Sequence, residues 1–261
     1  MSPRRFAVDY QGLHLARCAS CGLEFQSPRP VFEQLVTAVY GASYHRPDDW
    51  VADTTRQWHF ERQLSQLAQD LPAGRRTLLD VGCGAGAFIR FSTLRGWSVD
   101  GTDVVMTDRA RDTRARLWEG QLPAIEFGES RFDVVRFNQV LEHTQDPLAE
   151  LRRARELVTS GGLMCIGVPN LAGLSARLKS WQSRLHLKRK PWKHYSALHH
   201  LWYFTPRTLG RLVEAAGFDV VQWETPVAGR PGRPEWVTAL VRVPFEGVRC
   251  GGILDLYARA R

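Results

Sequence analysis

The chain has 261 residues, of which 44% are hydrophobic and 24% charged. These values are typical of a folded globular protein of one large or two small domains, and they exclude wholesale disorder, collagen-like repeats and coiled coils. The longest weakly polar stretch, 161–174, is too short to span a bilayer, and no apolar core follows the basic start to form a secretory signal. The five cysteines form an odd, sparse set that fits a reducing compartment, so we expect a cytoplasmic protein.

The net charge of +8 comes from one segment of the chain. Residues 157–213 contain nine basic residues and no acidic one, whereas the rest of the chain carries 26 basic and 27 acidic residues. A basic segment within an otherwise balanced chain indicates a local anionic partner.

Residues 1–70 are expected to form an N-terminal arm with lid helices. Cys18 and Cys21 have the two-residue spacing of half a zinc knuckle, and His14 could supply a third ligand. A structural zinc site needs four protein ligands, so the incomplete set favours a metal-free turn. Tyr40 and Tyr44 could cover a binding site as part of a lid. Packing alone explains the presence of these two aromatic residues equally well.

From residue 76 onward, β-rich runs alternate with helical patterns, as in a parallel sheet covered by helices. The predicted strands are 77–81, 97–102, 118–121, 132–137, 163–168, 218–222 and 253–257. The predicted helices are 86–94, 107–117, 146–158 and 205–217. The pattern therefore predicts one doubly wound α/β domain over 71–261, with a mostly parallel seven-stranded sheet whose ligands bind at the carboxyl ends of the strands.

A helical cap insertion is expected at 171–204, with a basic amphipathic helix at its start. Leu171, Leu174, Leu178, Trp181 and Leu185 recur at spacings of three and four, which puts them on one helix face. One interpretation packs this apolar stripe against the domain. The other makes the segment a lid that meets an anionic lipid surface or a phosphorylated substrate, and nucleic acid is a third, less favoured partner.

A glycine-rich turn follows the first predicted strand of the domain. It contains Asp80, Gly82, Cys83, Gly84 and Gly86, and Asp103 follows Asp80 by 23 residues at the end of the next strand. An acid at that place accepts hydrogen bonds from ribose hydroxyls. A dinucleotide fold would need its third glycine one position later, at Ala87, and Asp80 would oppose a pyrophosphate. The loop instead suits a cationic cofactor.

At this point the sequence resembles the class I S-adenosylmethionine-dependent methyltransferases over about residues 10–260. Residues 78–86 resemble their first motif, and 131–147 and 161–170 resemble the fourth- and fifth-strand segments of the ubiquinone-biosynthesis-like branch. Residues 200–218 are similar to the closing helix of methyltransferases of bacterial surface-polysaccharide and natural-product pathways.

The resemblance implies S-adenosyl-L-methionine as cofactor and a role for several loop residues. Gly82, Gly84 and Gly86, with Cys83 between them, would line its methionine part, and Asp80 would anchor the amino group through the loop. The remaining implied contacts are Asp103 at the ribose, Asn138 near the sulfonium and Gln121 beside adenine, where many relatives have an acid. In these relatives the Cys18–Cys21 piece is the second half of a four-cysteine site, whose first half this chain lacks.

Methyl transfer mainly requires alignment of donor and acceptor, and a base only if the acceptor must lose a proton. The candidate catalytic bases are His143, which follows the fourth strand with Glu142, and His200, which precedes the aromatic residues 202–204. Alternatively, His143 bonds to backbone, and the aromatic residues belong to the core rather than to an acceptor pocket.

These patterns predict a methyltransferase acting on a small-molecule or sugar-type acceptor, free or carried on a lipid, with oxygen the expected acceptor atom. The alternatives are an RNA methyltransferase that uses the basic segment 177–193, and a non-catalytic scaffold subunit. A nicotinamide oxidoreductase is disfavoured by the glycine spacing. Peripheral contact with the inner face of an anionic membrane stays open.

Overall fold

The computed structural model describes residues 3–31, 53–228 and 246–261, together with Arg242 and Pro244. Its main sheet has seven strands in the order β10-β11-β8-β7-β4-β5-β6. These strands are β4 (Thr77–Val81), β5 (Ser98–Asp103), β6 (Leu117–Glu119), β7 (Phe132–Asn138), β8 (Val158–Pro169), β10 (Phe218–Glu224) and β11 (Ile253–Ala260). β4 to β8 pair in parallel, and β11 pairs antiparallel with both β8 and β10. The predicted mostly parallel seven-stranded sheet is therefore confirmed.

The strand order reverses at β4, which lies between β5 and β7. In a doubly wound sheet this reversal opens a crevice at the carboxyl ends of the strands, because the connections leave toward opposite sides. The segments that follow Val81, Asp103 and Asn138 therefore meet at one edge of the sheet.

A second, antiparallel sheet has the order β1-β2-β3-β9. Its strands are β1 (Arg4–Val8), β2 (His14–Arg17), β3 (Glu24–Gln26) and β9 (Trp202–Tyr203). The N-terminal arm is thus joined through β9 to the end of the segment 171–204. Residues 32–52, with Tyr40 and Tyr44, lie outside the described residues.

Six helices cover the main sheet or extend from it in the described part of the chain: α1 (Thr54–Asp70), α2 (Ala87–Thr93), α3 (Asp108–Arg111), α4 (Pro147–Leu157), α5 (Leu174–Arg184) and α6 (Pro206–Ala215). The two predicted cap-and-proline signals begin helices as expected. Asp146 accepts hydrogen bonds from the backbone N–H groups of Leu148 and Ala149, and Thr205 forms a capping box with Thr208.

The prediction of a helix over 107–117 is wrong. Only one turn, Asp108–Arg111, is helical, and the backbone then passes through Arg114 at a φ of 61°. The following residues add a strand to the sheet, since Leu117–Glu119 pairs with Gly101–Asp103 and Arg116 forms an ion pair with Asp100. Strand pairing at the open side of β5 overrides the helical pattern, because it satisfies backbone groups that β5 would otherwise leave unpaired.

The hydrophobic core has two layers, one on each face of the sheet. α4 and α6 contribute buried side chains such as Leu151, Leu209 and Val213 to one layer. α1 and α2 contribute Phe60 and Phe88 to the other. Burial of each such side chain stabilises the fold by about 1.5–3 kcal/mol. The core therefore holds in place the strands whose carboxyl ends carry the loops.

Candidate active site

The glycine loop follows β4 in backbone conformations that favour glycine. Gly82, Gly84 and Gly86 have φ values of 71°, 56° and 73°, and Gly86 is the N-cap of α2. A Cβ atom on Gly82 would lie 2.3 Å from Cγ2 of Val140. The N–H groups of Gly82 and Cys83 both donate to the Thr102 carbonyl, at 2.7 and 2.9 Å, so the loop is tied to β5.

Asp103 ends β5 with its carboxylate turned toward the loop. Its Oδ2 accepts a hydrogen bond from the N–H of Gly84 at 2.8 Å, and its Oδ1 accepts one from Val105 at 3.3 Å. A carboxylate has about four acceptor positions, so these two bonds leave capacity for ribose hydroxyls.

A cavity of about 230 Å³ opens at this edge of the sheet. Five of the predicted site residues line it, namely Gly82, Gly84, Asp103, Gln121 and His143. Residues that are 61 positions apart in the chain meet here because β4, β5, β6 and β7 all end at the same edge.

Asp80 lies below the loop rather than on this cavity. Its side chain is buried and forms an ion pair with Arg136 of β7, with 2.6 Å between Oδ1 and Nη1. Burial raises the pKa of Asp80, and the charge of Arg136 opposes that shift. Arg136 also donates to Oε1 of Gln63 and lies 3.6 Å from the centroid of the Phe88 ring. Sequence reasoning missed Arg136, although a lone charge within the apolar run 134–137 is a signal for a buried partner.

The remaining predicted cofactor residues also lie behind the cavity wall. Cys83 packs its thiol against β5, since a Cβ atom on Gly101 would lie 2.9 Å from its Sγ, and burial raises the pKa of that thiol well above its usual range. Oδ1 of Asn138 accepts a hydrogen bond from Gln63 at 3.3 Å. Gly86 acts through the backbone turn that begins α2. The cofactor contacts of all these residues stay predictions.

His143 lies in a 3₁₀ turn, Leu141–His143, directly after β7. Its Nδ1 lies 2.8 Å from the carbonyl oxygen of His199. A carbonyl only accepts hydrogen bonds, so Nδ1 carries the proton and Nε2 is the unprotonated nitrogen of the neutral ring. Burial lowers the pKa of His143 to about 4, which keeps the imidazole neutral at pH 7.

His200 faces His143 from the segment that precedes β9. The two ring centroids are 4.8 Å apart and the rings are nearly perpendicular, at 78°. Burial lowers the pKa of His200 to about 3, and the neighbouring His143 contributes to the shift. His200 also lines a second cavity of about 170 Å³, together with Lys179, Trp202 and Tyr203. The two cavities therefore approach each other at the pair of imidazoles.

Glu142, beside His143, has an unusual environment for a carboxylate. Its side chain is 1% exposed, and neither oxygen accepts a hydrogen bond from any residue that the structure describes. Oε1 lies 3.8 Å from Nε2 of His143, and burial raises the pKa of Glu142 to about 8. The sequence indicated no role for Glu142 beyond its position next to His143.

A family model described as a methyltransferase domain matches residues 52–223. The chain belongs to the S-adenosylmethionine-dependent methyltransferases. It is 31% identical over 211 residues to a ubiquinone biosynthesis O-methyltransferase of Cereibacter sphaeroides, which covers 70% of this chain and 79% of the relative. A similar relative of Aeromonas salmonicida is 28% identical over 191 residues, covering 65% of this chain and 79% of the relative.

The methyltransferase fold also matches solved structures. One is the 1,6-didemethyltoxoflavin-N1-methyltransferase of Burkholderia thailandensis with bound S-adenosylhomocysteine, with a TM-score of 0.59, 19% identity and coverage of 98% of this chain and 99% of that chain. Another is the phosphoethanolamine N-methyltransferase 2 of Haemonchus contortus in complex with S-adenosyl-L-methionine. Its TM-score is 0.59 and its identity 15%, and the match covers 91% of this chain and 61% of that chain.

The site in this chain fits the cofactor of the family. The loop offers bare main chain at Gly82 and Gly84, which both line the cavity, and Asp103 supplies an anionic acceptor for a sugar. The methyltransferase therefore uses S-adenosyl-L-methionine.

The aromatic residues before α6 divide between a cavity and the core. Trp202 and Tyr203 line the second cavity, and Trp202 donates to the carbonyl of Thr144 at 2.8 Å. Phe204 is fully buried in the main core. The second cavity and the core thus share one short segment.

The N-terminal cysteines lie in the turn between β2 and β3. Hydrogen bonds from the backbone of Cys21 and Ser20 lower the pKa of Cys18 to about 7. Within the described residues, Cys18, Cys21 and His14 form no group of three converging metal ligands; the group that does converge is Glu142, His143 and His200.

The apolar stripe of α5 does not pack against the domain, contrary to one of the two interpretations of the sequence. Leu174, Leu178, Trp181 and Leu185 are each about half exposed. The helix meets the protein with its small polar residues instead, because the hydroxyl of Ser183 accepts a hydrogen bond from the N–H of Trp192, and Ser180 bonds His194 at 2.8 Å. In the part of the chain that the structure describes, no helix combines the length and apolarity needed to cross a bilayer.

Proposed function

We propose that this methyltransferase transfers the methyl group of S-adenosylmethionine to an oxygen atom of a small-molecule or sugar-type acceptor, and that the acceptor occupies the second cavity. The observation that carries the proposal is the pair of imidazoles, His143 and His200, where the second cavity approaches the cofactor cavity. Support also comes from the relatives, which are named O-methyltransferases.

The acceptor hydroxyl must lose its proton as it attacks. Bound S-adenosylmethionine supplies a methyl carbon activated by its sulfonium; as the oxygen–carbon bond forms, the carbon–sulfur bond breaks and its electron pair stays on sulfur. His143 and His200 are the activating residues in this proposal. A neutral imidazole can activate a hydroxyl by accepting its proton.

The remaining residues of the site contribute mainly by orienting the methyl donor and the acceptor. The loop and Asp103 would fix the donor, while Trp202 and Tyr203 would fix the acceptor and exclude water. Such alignment supplies roughly 7–11 kcal/mol toward the barrier of a two-substrate reaction.

The acceptor can be found with labelled cofactor. Wild-type protein is incubated with methyl-labelled S-adenosylmethionine and fractionated extract of its host, and the labelled product is analysed by mass spectrometry. We expect label on oxygen of a small molecule, with His143→Ala and His200→Ala each reducing transfer at least tenfold while S-adenosylhomocysteine binding is retained. Label on nitrogen, carbon or tRNA would overturn the proposal, and normal cofactor binding without transfer in any fraction would favour a scaffold subunit.

The proposal includes peripheral contact with an anionic membrane, through α5. This helix exposes an apolar stripe beside Arg177, Lys179 and Arg184, an arrangement that lies flat in a lipid interface. Each basic residue near an anionic surface adds about 1 kcal/mol of attraction. Ala176 and Lys179 of the same helix line the second cavity, which supports delivery of a lipid-borne acceptor from that surface.

Vesicle sedimentation tests this contact. We expect the wild type to bind vesicles containing phosphatidylglycerol and not pure phosphatidylcholine, and Leu178→Ser with Trp181→Ser to abolish binding. Leu94→Ser is the matched control, since Leu94 is an exposed leucine outside α5. Equal binding by both variants, or salt-sensitive binding to bulk tRNA instead of vesicles, would contradict the membrane contact.

A further inference from the structure

We propose that Glu150 of α4 recognises the adenine base of the cofactor by accepting a hydrogen bond from its 6-amino group. Glu150 lies outside the sequence motifs, and the residue that follows β6 in the cavity is an amide, Gln121. The role of Glu150 concerns the methyl donor, so it is independent of the acceptor and of the acceptor atom proposed above.

The order of the strands indicates which part of the cavity takes the adenine base. β4, β5 and β6 lie side by side, and each contributes residues to the cavity: Gly82 and Gly84 after β4, Asp103 at the end of β5 and Gln121 after β6. A cofactor with its methionine part on the glycine loop and its ribose at Asp103 extends its base toward the end of β6. We therefore expect the adenine pocket beside Gln121.

Helix α4 brings Glu150 to this end of the cavity. The 3₁₀ turn that follows β6, Leu122–Ala124, packs against α4, and Nη2 of Arg153 donates to the carbonyl of Ile125 at 2.8 Å. Residues three positions apart lie on the same face of a helix, so Glu150 shares the face of Arg153. Glu150 accordingly lines the cofactor cavity together with Gln121.

The carboxylate of Glu150 is buried without a partner in the protein. The residue is 6% exposed, and its side chain forms no hydrogen bond or ion pair with any residue that the structure describes. The buried carboxylates of Asp80, Asp100 and Asp133, by contrast, each pair with an arginine. Burial raises the pKa of Glu150 to about 7, and the charge of Asp146 adds to the shift. An unpaired buried acceptor destabilises the fold, and a donor on a bound ligand would offset that cost.

Capping of α4 does not account for this acid. Asp146 is the N-cap, and its side chain already accepts hydrogen bonds from the N–H groups of Leu148 and Ala149. Glu150 lies in the first turn, where an acid interacts favourably with the helix dipole. An exposed acid would interact with the dipole as well, without the cost of burial, so the dipole does not explain why Glu150 faces the cavity.

The chemistry of adenine fits a carboxylate. The 6-amino group of adenine is a donor, and an ionised carboxylate can only accept. Such a donor also favours the ionised form of Glu150. The amide of Gln121 both donates and accepts, so it can bond to an amino group or to a carbonyl oxygen at position 6 of a purine. Only the carboxylate distinguishes adenine from hypoxanthine, whose 6-oxygen it repels.

Calorimetry with two forms of the demethylated cofactor tests the role of Glu150. S-adenosylhomocysteine carries the 6-amino group, and S-inosylhomocysteine carries an oxygen in its place. We expect the wild type to bind S-adenosylhomocysteine roughly 10- to 100-fold more tightly than S-inosylhomocysteine, the range for one hydrogen bond to a charged group. Glu150→Gln should bind the two ligands within about threefold of each other, because an amide can face either group.

The second ligand separates recognition from a merely structural role. Damage to the pocket would weaken the binding of both ligands. Recognition by Glu150 instead requires Glu150→Gln to bind S-inosylhomocysteine more tightly than the wild type does, since the carboxylate that repels the 6-oxygen is gone. Glu150→Ala, which removes the acceptor without adding a donor, should weaken S-adenosylhomocysteine binding at least tenfold and should not weaken S-inosylhomocysteine binding.

Glu156→Gln is the matched control. Glu156 lies on the same helix, but its side chain is 63% exposed and pairs with Arg153. This variant should keep the wild-type preference for S-adenosylhomocysteine, and thermal unfolding verifies that each variant is folded.

Three results would overturn the role of Glu150. They are equal binding of the two ligands by the wild type, a preference that survives in Glu150→Gln, and a preference that is lost in Gln121→Ala but kept in Glu150→Gln, which would assign the amino group to Gln121. None of these measurements uses an acceptor. Their failure therefore leaves the proposed methylation of oxygen intact, and failure to find an acceptor leaves the role of Glu150 intact.

Discussion

The buried ion pair beneath the glycine loop should be essential for stability. Asp80 and Arg136 are each 3% exposed at the side chain, and 2.6 Å separates Oδ1 from Nη1. Arg136→Met keeps an unbranched side chain over Phe88 but leaves the carboxylate without its partner. Breaking a buried pair in this way costs about 3–5 kcal/mol.

The effect should be visible in thermal and urea unfolding. A loss of 3–5 kcal/mol corresponds to a fall of roughly 6–20 °C in Tm for a domain of this size. The Arg116–Asp100 pair is the matched control, because its N–O distance is also 2.6 Å but Arg116 is 66% exposed. Arg116→Met should therefore change the free energy of unfolding by only about 0–1 kcal/mol.

Two further measurements test the physical reason. Adding Asp80→Asn to Arg136→Met removes the uncompensated charge and should restore at least half of the lost stability. Burial raises the pKa of Asp80, and loss of Arg136 removes the opposing influence, so the folded variant binds a proton more readily than the unfolded chain. The destabilisation should consequently shrink as the pH falls. Equal losses for Arg136→Met and Arg116→Met at pH 7 would refute the argument.

Three further predictions concern the loop and the N-terminal turn. Gly82→Ala should weaken S-adenosylhomocysteine binding at least tenfold in calorimetry, because the new Cβ would lie 2.3 Å from Val140. Gly96→Ala is the control: Gly96 has a similar φ of 77° but open space around it, so this variant should bind S-adenosylhomocysteine normally. Asp103→Asn should weaken the same binding roughly 10- to 100-fold, since it removes a charged acceptor; unchanged affinity would contradict the ribose contact. Cys18, with a pKa of about 7, should react with iodoacetamide half-maximally near pH 7, ahead of the buried thiols in peptide mass spectra.

The two histidines lie on two segments that are held together by the main chain. His143 is tied to His199 by its Nδ1, so the turn after β7 and the segment before β9 are mutually positioned. In the proposed function, a change in the segment 171–204 would therefore alter the position of His143 as well as the second cavity.

The sequence alone predicted the order of strands and helices from β4 onward, apart from the extent of α3, together with the glycine loop and the acid at the end of β5. These features are local: alternating apolar runs specify strands, Asp146 and Thr205 specify helix starts, and Gly82, with its positive φ, specifies a turn. The family, its fold and its cofactor could be predicted for the same reason, because each of the segments 78–86, 131–147, 161–170 and 200–218 that carry the resemblance is continuous in the chain.

Contacts between different segments could be read only from the folded chain. Periodicity identified which residues form the apolar face of α5, but not whether that face points to the protein or to solvent. The orientation of the helix depends on the hydrogen bonds of Ser180 and Ser183 to His194 and Trp192. The end of α3 was decided by strand pairing with β5. The isolation of the Glu142 carboxylate likewise depends on everything packed around it, and burial is a property of the folded chain that no local pattern contains.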